Sequence, residues 1–406
     1  MYSPNVTGIV AEYNPLHLGH CHHICEARRL SCADAVIIVL SSDFVQRGEP
    51  AMLSKWERAQ LALCAGADLV LELPVVFSSH NAGVFANAAV DIFASSHAVT
   101  NLSFGMESTA WNINSIADIL IYESQPFKTL LKKFLDEGYS FVEARSLALD
   151  AIEPGTASIL RGSNNMLALS YVMRLKKINS KIKILPVKRD GSAHNNKNSY
   201  VKNSASSSAI RQMIIDGKIS DALSILPQNS ASMLANGLAA GRVFARNDKL
   251  WDILRSMLLR AAPEKISECA EVSEGIEYKL RDAALECKTF DEWVSACSSR
   301  RYPRGRIQRH AMHFMLGLDQ WTNRAFQRLG PAYIRVLAMN ETGQKLLRGM
   351  KKSSVLPVIT RCGEAARISD YAKRIMDFDI LAAELRQQMI PNGESGIEHK
   401  RKVIMQ

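Results

Sequence analysis

The sequence predicts an α/β fold: a doubly wound parallel sheet within residues 1–240, with a helical insertion at about 110–180, then a mainly helical, basic region over 241–406. Three observations point there. Short apolar runs alternate with segments of helical spacing through the first half, as in strands joined by crossover helices. One run, Ala35-Val36-Ile37-Ile38-Val39-Leu40, is continuously apolar, as expected of a strand covered on both faces. Charge is divided unevenly: 29 lysines and arginines stand against 20 acidic residues in 241–406, but only 21 against 20 in 1–240.

In chain order, Val6 to Tyr13 reads as a strand stopped by Asn14-Pro15, and a helix follows from about Gly19 to Leu30. The second strand is Ala35 to Leu40. Residues 54–66 have helical spacing and end near Gly66; Asp68 to Pro74 is the third strand. A helix over about 81–96 leads to a fourth strand, Val99 to Gly105, and Lys183 to Val187 is a fifth. Residues 190–208, rich in Asn and Ser, read as a loop. From about 245 onward the spacing is helical, as in Leu250 to Leu259, Ile276 to Leu285 and Phe326 to Met339. The polar tail Pro391 to Gln406 is expected to fray.

Composition bounds the class. A chain of 406 residues, 47% hydrophobic and 22% charged, suits two or three globular domains. No apolar stretch is long enough for a membrane span, and the first residues lack the features of a secretory signal. None of the eight cysteines forms a C-x-x-C pair. Cys21 and Cys25 near His22 and His23 match no structural zinc spacing, so buried reduced thiols, no metal site and a cytoplasmic location are expected. The net charge of +10, concentrated in the second half, suggests a polyanionic partner, although basic helices can simply be solvated.

Ligands of such sheets bind beyond the carboxyl ends of the strands. Asn14, Ser41, Gly105 and Arg189 fall at those ends. His17-x-Gly19-His20 opens the first helix, where unpaired N–H groups and the helix dipole favour phosphate. Gly19 would let the backbone approach a nucleotide, and the two imidazoles can stabilise charge as pyrophosphate leaves. The alternative is a pair of structural histidines. A second segment, Ser204 to Arg211, presents serine hydroxyls at a helix start, with Arg211 one turn in. Alone it is an ordinary capped helix; with the first it makes a two-sided phosphate clamp.

The early H-x-G-H and the late Ser-rich S-S-S-x-I-R are signatures of the nucleotidylyltransferase (HIGH) superfamily. More narrowly, the chain resembles the bacterial tRNA(Met) cytidine acetate ligase family. The likeness is carried by Ala11 to His20, Asp43 to Pro50, Ser54-Lys55-Trp56, Gly66 to Pro74, Phe104-Gly105, Asn164-Asn165, Glu274 to Glu277 and Arg301 to Arg309. It implies that ATP activates acetate as acetyl-adenylate. The N4 amine of the wobble cytidine of elongator tRNA(Met) then takes the acetyl group, giving N4-acetylcytidine, AMP and pyrophosphate. By this resemblance the ATP site comprises Val10, Ala11, Glu12, Tyr13, Asn14, Pro15, Leu16, His17, Leu18, Gly19, His20, Cys21, His22 and His23, with Gly105, Asn164, Asn165 and Arg189. Ser206, Ser208 and Arg211 complete it. Met106 departs from the small polar residue expected there, which puts the neighbouring contacts in question.

His17 and His20 are the expected catalytic groups, with Lys55 meeting pyrophosphate; otherwise Lys55 is the solvated first turn of a helix capped by Ser54. Mg²⁺ is expected with the phosphates, and Asp43 and Glu49 are candidates to hold it. For RNA, residues 300–310 hold five arginines. Arg300, Arg301, Arg304, Arg306 and Arg309 can pair with phosphates while Tyr302 stacks on an unpaired base. Two competing readings are a small-molecule carboxylate–amine ligase or adenylyltransferase on the same fold, and a non-enzymatic RNA-binding protein.

Overall fold

A computed structural model describes residues 4–108, 111–139, 141–160, 162–188, 205–273 and 275–406. Its strands are β1 (Val6–Ala11), β2 (Ala35–Ser41), β3 (Phe44–Val45), β4 (Glu49–Pro50), β5 (Leu69–Leu73), β6 (Asn101–Met106), β7 (Lys183–Lys188), β8 (Ile334–Met339), β9 (Val358–Ile359) and β10 (Ile404–Met405). The main sheet runs β10-β8-β5-β2-β1-β6-β7, with β9 beside β8; β3 and β4 form a separate antiparallel hairpin. From β5 to β7 the sheet is parallel throughout. This is the expected alternation of strands with crossover helices, α1 (Leu18–Ser31) and α2 (Lys55–Cys64) among them.

The β2 run shows why a continuous apolar strand needs two covered faces. All seven of its residues are buried. Ile37 and Val39 join Phe85, Ala89 and Phe93 of helix Ala82–Ser96. Val36, Ile38 and Leu40, pointing the other way, join Trp56, Ala59 and Leu63 of α2. The insertion is helical as expected, from Ile113–Tyr122 to Ser163–Lys177. Helices Asp248–Arg260, Ile276–Glu286, Phe290–Cys297 and Arg304–Met315 surround Trp251 and Trp293, whose rings lie 5.8 Å apart.

Two expectations about the second half are corrected. Phe326 to Met339 is not one helix. Helix Gln320–Leu329 ends at Gly330, where φ is 73° and Pro331 follows, and β8 begins at Ile334. The Gly-Pro break carried that signal. Nor does the tail fray. Ile397–Lys400 is helical, Glu398 is 1% exposed, and β10 pairs with β8. Because β8 and β10 extend the sheet beyond β5, that sheet crosses the boundary expected at residue 240. No helix among the described residues is long and apolar enough to cross a membrane.

Candidate nucleotide-binding site

A cleft of about 420 Å³ opens at the carboxyl ends of β1 and β6. Val10, Ala11, Glu12, Tyr13 and Asn14 form its floor, and His17, His20 and His23 come from α1. Gly105 and Asn164 line one side; Ser206, Ser207, Ser208 and Arg211 line another. Helix periodicity explains which members of the first motif gather there: positions 17, 20 and 23 fall on one face, so Leu18, Cys21 and His22 turn elsewhere.

The two histidines build the start of α1. His17 is the N-cap, and its Nδ1 accepts from the Gly19 N–H at 3.1 Å. His20 Nδ1 accepts from the His17 N–H at 3.2 Å, closing a reciprocal capping box. Their rings stack with centroids 3.8 Å apart, and Tyr13 meets His20 edge-on at 4.9 Å. With Nδ1 accepting, a neutral imidazole carries its proton on Nε2, the donor that a phosphate oxygen requires. A Cβ on Gly19 would lie 2.9 Å from His17 Cε1, so the glycine makes room for the capping ring.

The serine segment docks directly on the first loop. Helix Ser207–Ile215 is capped by Ser206, whose Oγ accepts from the Ala209 N–H. Ser207 Oγ donates to the Pro15 carbonyl at 3.2 Å, and Arg211 donates to the Asn14 carbonyl at 2.9 Å while pairing with Glu49 at 2.6 Å. Arg211 therefore braces the loop that carries the histidines. Arg211→Ala is expected to raise the KM for ATP roughly tenfold, by losing charge-assisted hydrogen bonds. Pyrophosphate exchange at varied ATP measures this; an unchanged KM would detach Arg211 from nucleotide binding.

Several lining residues escaped the sequence reading. Gln46 and Arg47 come from the β3–β4 turn, and Gln46 N–H donates to Glu12 Oε1 at 2.8 Å. Burial, and Glu49 beside it, push the Glu12 carboxyl up against the opposing pull of that N–H. Phe85, Phe104, Leu167 and Tyr171 supply an apolar wall. Arg47 stood in a recognisable motif with no role attached; the wall residues come from helices whose inward faces only tertiary packing reveals.

Other expected contacts do not line the cleft. Pro15, Leu16, Leu18, Gly19, Cys21, His22 and Asn165 lie outside its lining. Leu16 is core, and Asn165, 2% exposed, accepts from the Glu107 N–H at 3.0 Å. Glu107 in turn accepts from the Asn164 and Asn165 N–H groups, capping helix Ser163–Lys177. Met106 is buried and does not line the cleft, so its departure leaves the lining intact. Arg189 and Glu274 lie outside the described residues.

Lys55 is corrected from a pyrophosphate contact to a core residue. It is fully buried, with Nζ 2.6 Å from Glu72, 3.1 Å from Glu398 and 3.7 Å from Asp43. Burial alone would lower its pKa, but Glu398 and Glu72 together hold it above the usual lysine range. Arg335 bridges Glu72 and Glu398 at 2.8 and 2.6 Å. In the same core, burial and the nearby Glu72 push the Asp379 carboxyl up to about 8. Folding thus raises this group above its ordinary 3.8, so its stabilising proton uptake is complete at low pH and lost as pH rises through about 8. Asp379→Asn is expected to flatten the fall in melting temperature between about pH 4 and 8; an unchanged slope would mean that Asp379 folds ionised.

The arginine segment is also rearranged. Tyr302 is 6% exposed, donates to the Ser273 carbonyl at 2.5 Å and lies 4.3 Å under the Arg306 guanidinium, so its ring is not offered to a base. Arg300 pairs with Glu143, and Arg304 with Asp291. Arg309 packs on the β3–β4 turn: a Cβ on Gly48, whose φ is +74°, would lie 2.4 Å from the Arg309 backbone nitrogen. The cleft hairpin and the basic helix Arg304–Met315 are thus in contact.

Asp43 and Glu49 do not suit a metal, since Asp43 is buried against Lys55 and Glu49 is paired with Arg211. No group of three or more His, Cys, Asp or Glu among the described residues is placed to hold one.

A parallel sheet whose histidine-capped first helix opens onto a cleft beyond the strand ends is the arrangement of a nucleotide-binding α/β protein. Residues 4–401 match the family described as HIGH Nucleotidyl Transferase. The tRNA(Met) cytidine acetate ligase of Acetivibrio thermocellus is 35% identical, covering 98% of this chain and 99% of that one; that of Clostridium acetobutylicum is 32% identical over 99% and 100%. Thermotoga maritima TmcAL, solved with alpha-thio ATP bound, superposes with a TM-score of 0.91 at 28% identity, covering 99% of this chain and all of that one. The chain belongs to the tRNA(Met) cytidine acetate ligase family of HIGH nucleotidyltransferases.

Proposed function

We propose that this protein is an ATP-dependent tRNA(Met) cytidine acetate ligase acting on elongator tRNA(Met). The observation that carries the reading is the His17–His20 capping box at the mouth of the cleft, on a fold shared with a relative solved with an ATP analogue. Acetate is a poor electrophile, so its carboxylate must first gain a leaving group. A carboxylate oxygen attacks the α-phosphorus of ATP and the bond to pyrophosphate breaks, giving acetyl-adenylate. His17 and His20, with the α1 N-terminus, stabilise the charge that grows on the departing phosphates. Ser206, Ser208 and the helix they open serve the same polyanion from the other side. The N4 amine of the wobble cytidine then attacks the acetyl carbon, AMP departs and the amine loses a proton.

Mg²⁺ is expected to travel with ATP. The relatives' name and the basic second half favour RNA over a small amine as acceptor. Mass spectrometry of elongator tRNA(Met) after incubation with protein, ATP and labelled acetate tests the whole sequence. The expected result is one labelled acetyl group on the wobble cytidine. ATP–pyrophosphate exchange supported by another acid but not by acetate would overturn it.

A further inference from the structure

Helix Gln320–Leu329 carries an aromatic–arginine pair that the cleft does not use. Trp321 is 78% exposed, whereas Trp56, Trp251 and Trp293 are each at most 3% exposed. The Arg324 guanidinium lies 5.3 Å from the centre of the Trp321 ring, and Arg328 is exposed on the same helix. No acidic side chain occurs between Gln320 and Leu329; Asp319 is occupied as the N-cap, accepting from Thr322.

The opposite face of the helix is fixed. Phe326 packs against Phe77 and Phe378, and Asn323 and Gln327 both reach the buried His80 ring, at 3.0 and 3.2 Å. Asn81, next to His80, caps the helix whose Ala82 and Phe85 line the cleft. Gln320 donates to the Val272 carbonyl and Arg306 to that of Glu271, so the basic helix Arg304–Met315 is seated on the same short segment.

We infer that Trp321, with Arg324 and Arg328, is a stacking platform for an unpaired RNA base outside the reacting nucleotide. This inference rests on the proposed RNA substrate. An exposed indole offers a π-face to any base, and the neighbouring guanidiniums supply the charge that an RNA backbone requires. A rigid helix pinned on its other face holds the ring in place without further ordering on binding. The platform takes the role that the burial of Tyr302 denies to that residue.

Titration of the full-length protein with elongator tRNA(Met), followed by tryptophan emission and by filter binding, tests it. RNA is expected to quench Trp321 emission in the wild type and to leave the emission of Trp321→Phe unchanged. Trp321→Ala should weaken binding by about tenfold and Trp321→Phe by less, with ATP–pyrophosphate exchange unchanged. Arg324→Ala should lower the salt slope of binding by about one. Wild-type binding matched by Trp321→Ala would overturn the platform and leave the proposed reaction standing. No RNA binding by the wild type would remove both. A wild-type dimer that Trp321→Ala dissociates, with RNA affinity unaltered, would make this face a contact between copies and overturn the inference.

Discussion

His20→Ala is expected to lose roughly a hundred- to a thousandfold of acetate-dependent ATP–pyrophosphate exchange, the scale for removing one donor at a developing charge. Affinity for tRNA should stay near the wild-type value, because His20 sits in the cleft and not on the Trp321–Arg324 face proposed to meet RNA. The imidazole has two tasks, and a second variant separates them. Its Nδ1 closes the capping box on the His17 N–H. Glutamine at the same helical position closes such a box without an imidazole. His20→Gln should therefore recover the thermal stability lost by alanine but not the exchange. If exchange returns with glutamine, His20 is a cap and not a catalytic group. If alanine lowers exchange and RNA affinity alike, its effect is a general loss of structure.

Glu398→Ala is expected to cost about 3–5 kcal/mol of stability, the penalty for stripping one partner from a buried ion network. Glu398 Oε2 lies 3.1 Å from Lys55 and 2.6 Å from Arg335, and Oε1 accepts from Trp56 Nε1 at 3.0 Å. Alanine leaves two buried cations facing fewer carboxylates. Burial pushes the Glu398 carboxyl up, but Lys55 and Arg335 outweigh it and hold the carboxyl at about 2. Since that lies below its ordinary 4.5, the stabilisation is full above about pH 4.5 and is lost as pH falls towards 2. Denaturant midpoints at neutral and acid pH check both the size and the window. A variant as stable as the wild type at neutral pH would show that the cluster merely tolerates the tail.

The effect should also reach the cleft. Lys55 opens α2, and three residues further along Arg58 donates to the carbonyls of Glu12, Ser41 and Ser42. These hold together the carboxyl ends of β1 and β2. Loosening α2 at its start is therefore expected to weaken nucleotide binding as well as stability, although Glu398 lies far from the histidines in sequence.

Much of the cleft was legible because its signals are local. A strand, a proline stop and histidines spaced by three define one face of one helix start, and a serine cap followed by Arg211 defines another. Neighbours along the chain set both, so a window of ten residues contains the information. The stacking role expected of Tyr302 and the phosphate role expected of Lys55 failed for the opposite reason. Each residue type permits the role, and whether the side chain faces solvent depends on what folds over it. Tyr302 is covered through Ser273 and Arg306; Lys55 is enclosed by carboxylates from β5 and from the tail.

By itself the sequence determined the alternation of strands and helices, the covered β2 strand, the two helix starts that line the cleft and the basic second half. Periodicity, capping and composition express those without reference to distant residues. Only the tertiary structure decided that β8 and β10 complete the sheet of the first half. It also decided that Gly19 serves His17, and that a lysine, an arginine and three carboxylates form a charged core. Charges so far apart in the chain can be buried only when their partners arrive together, and that meeting is a property of the fold.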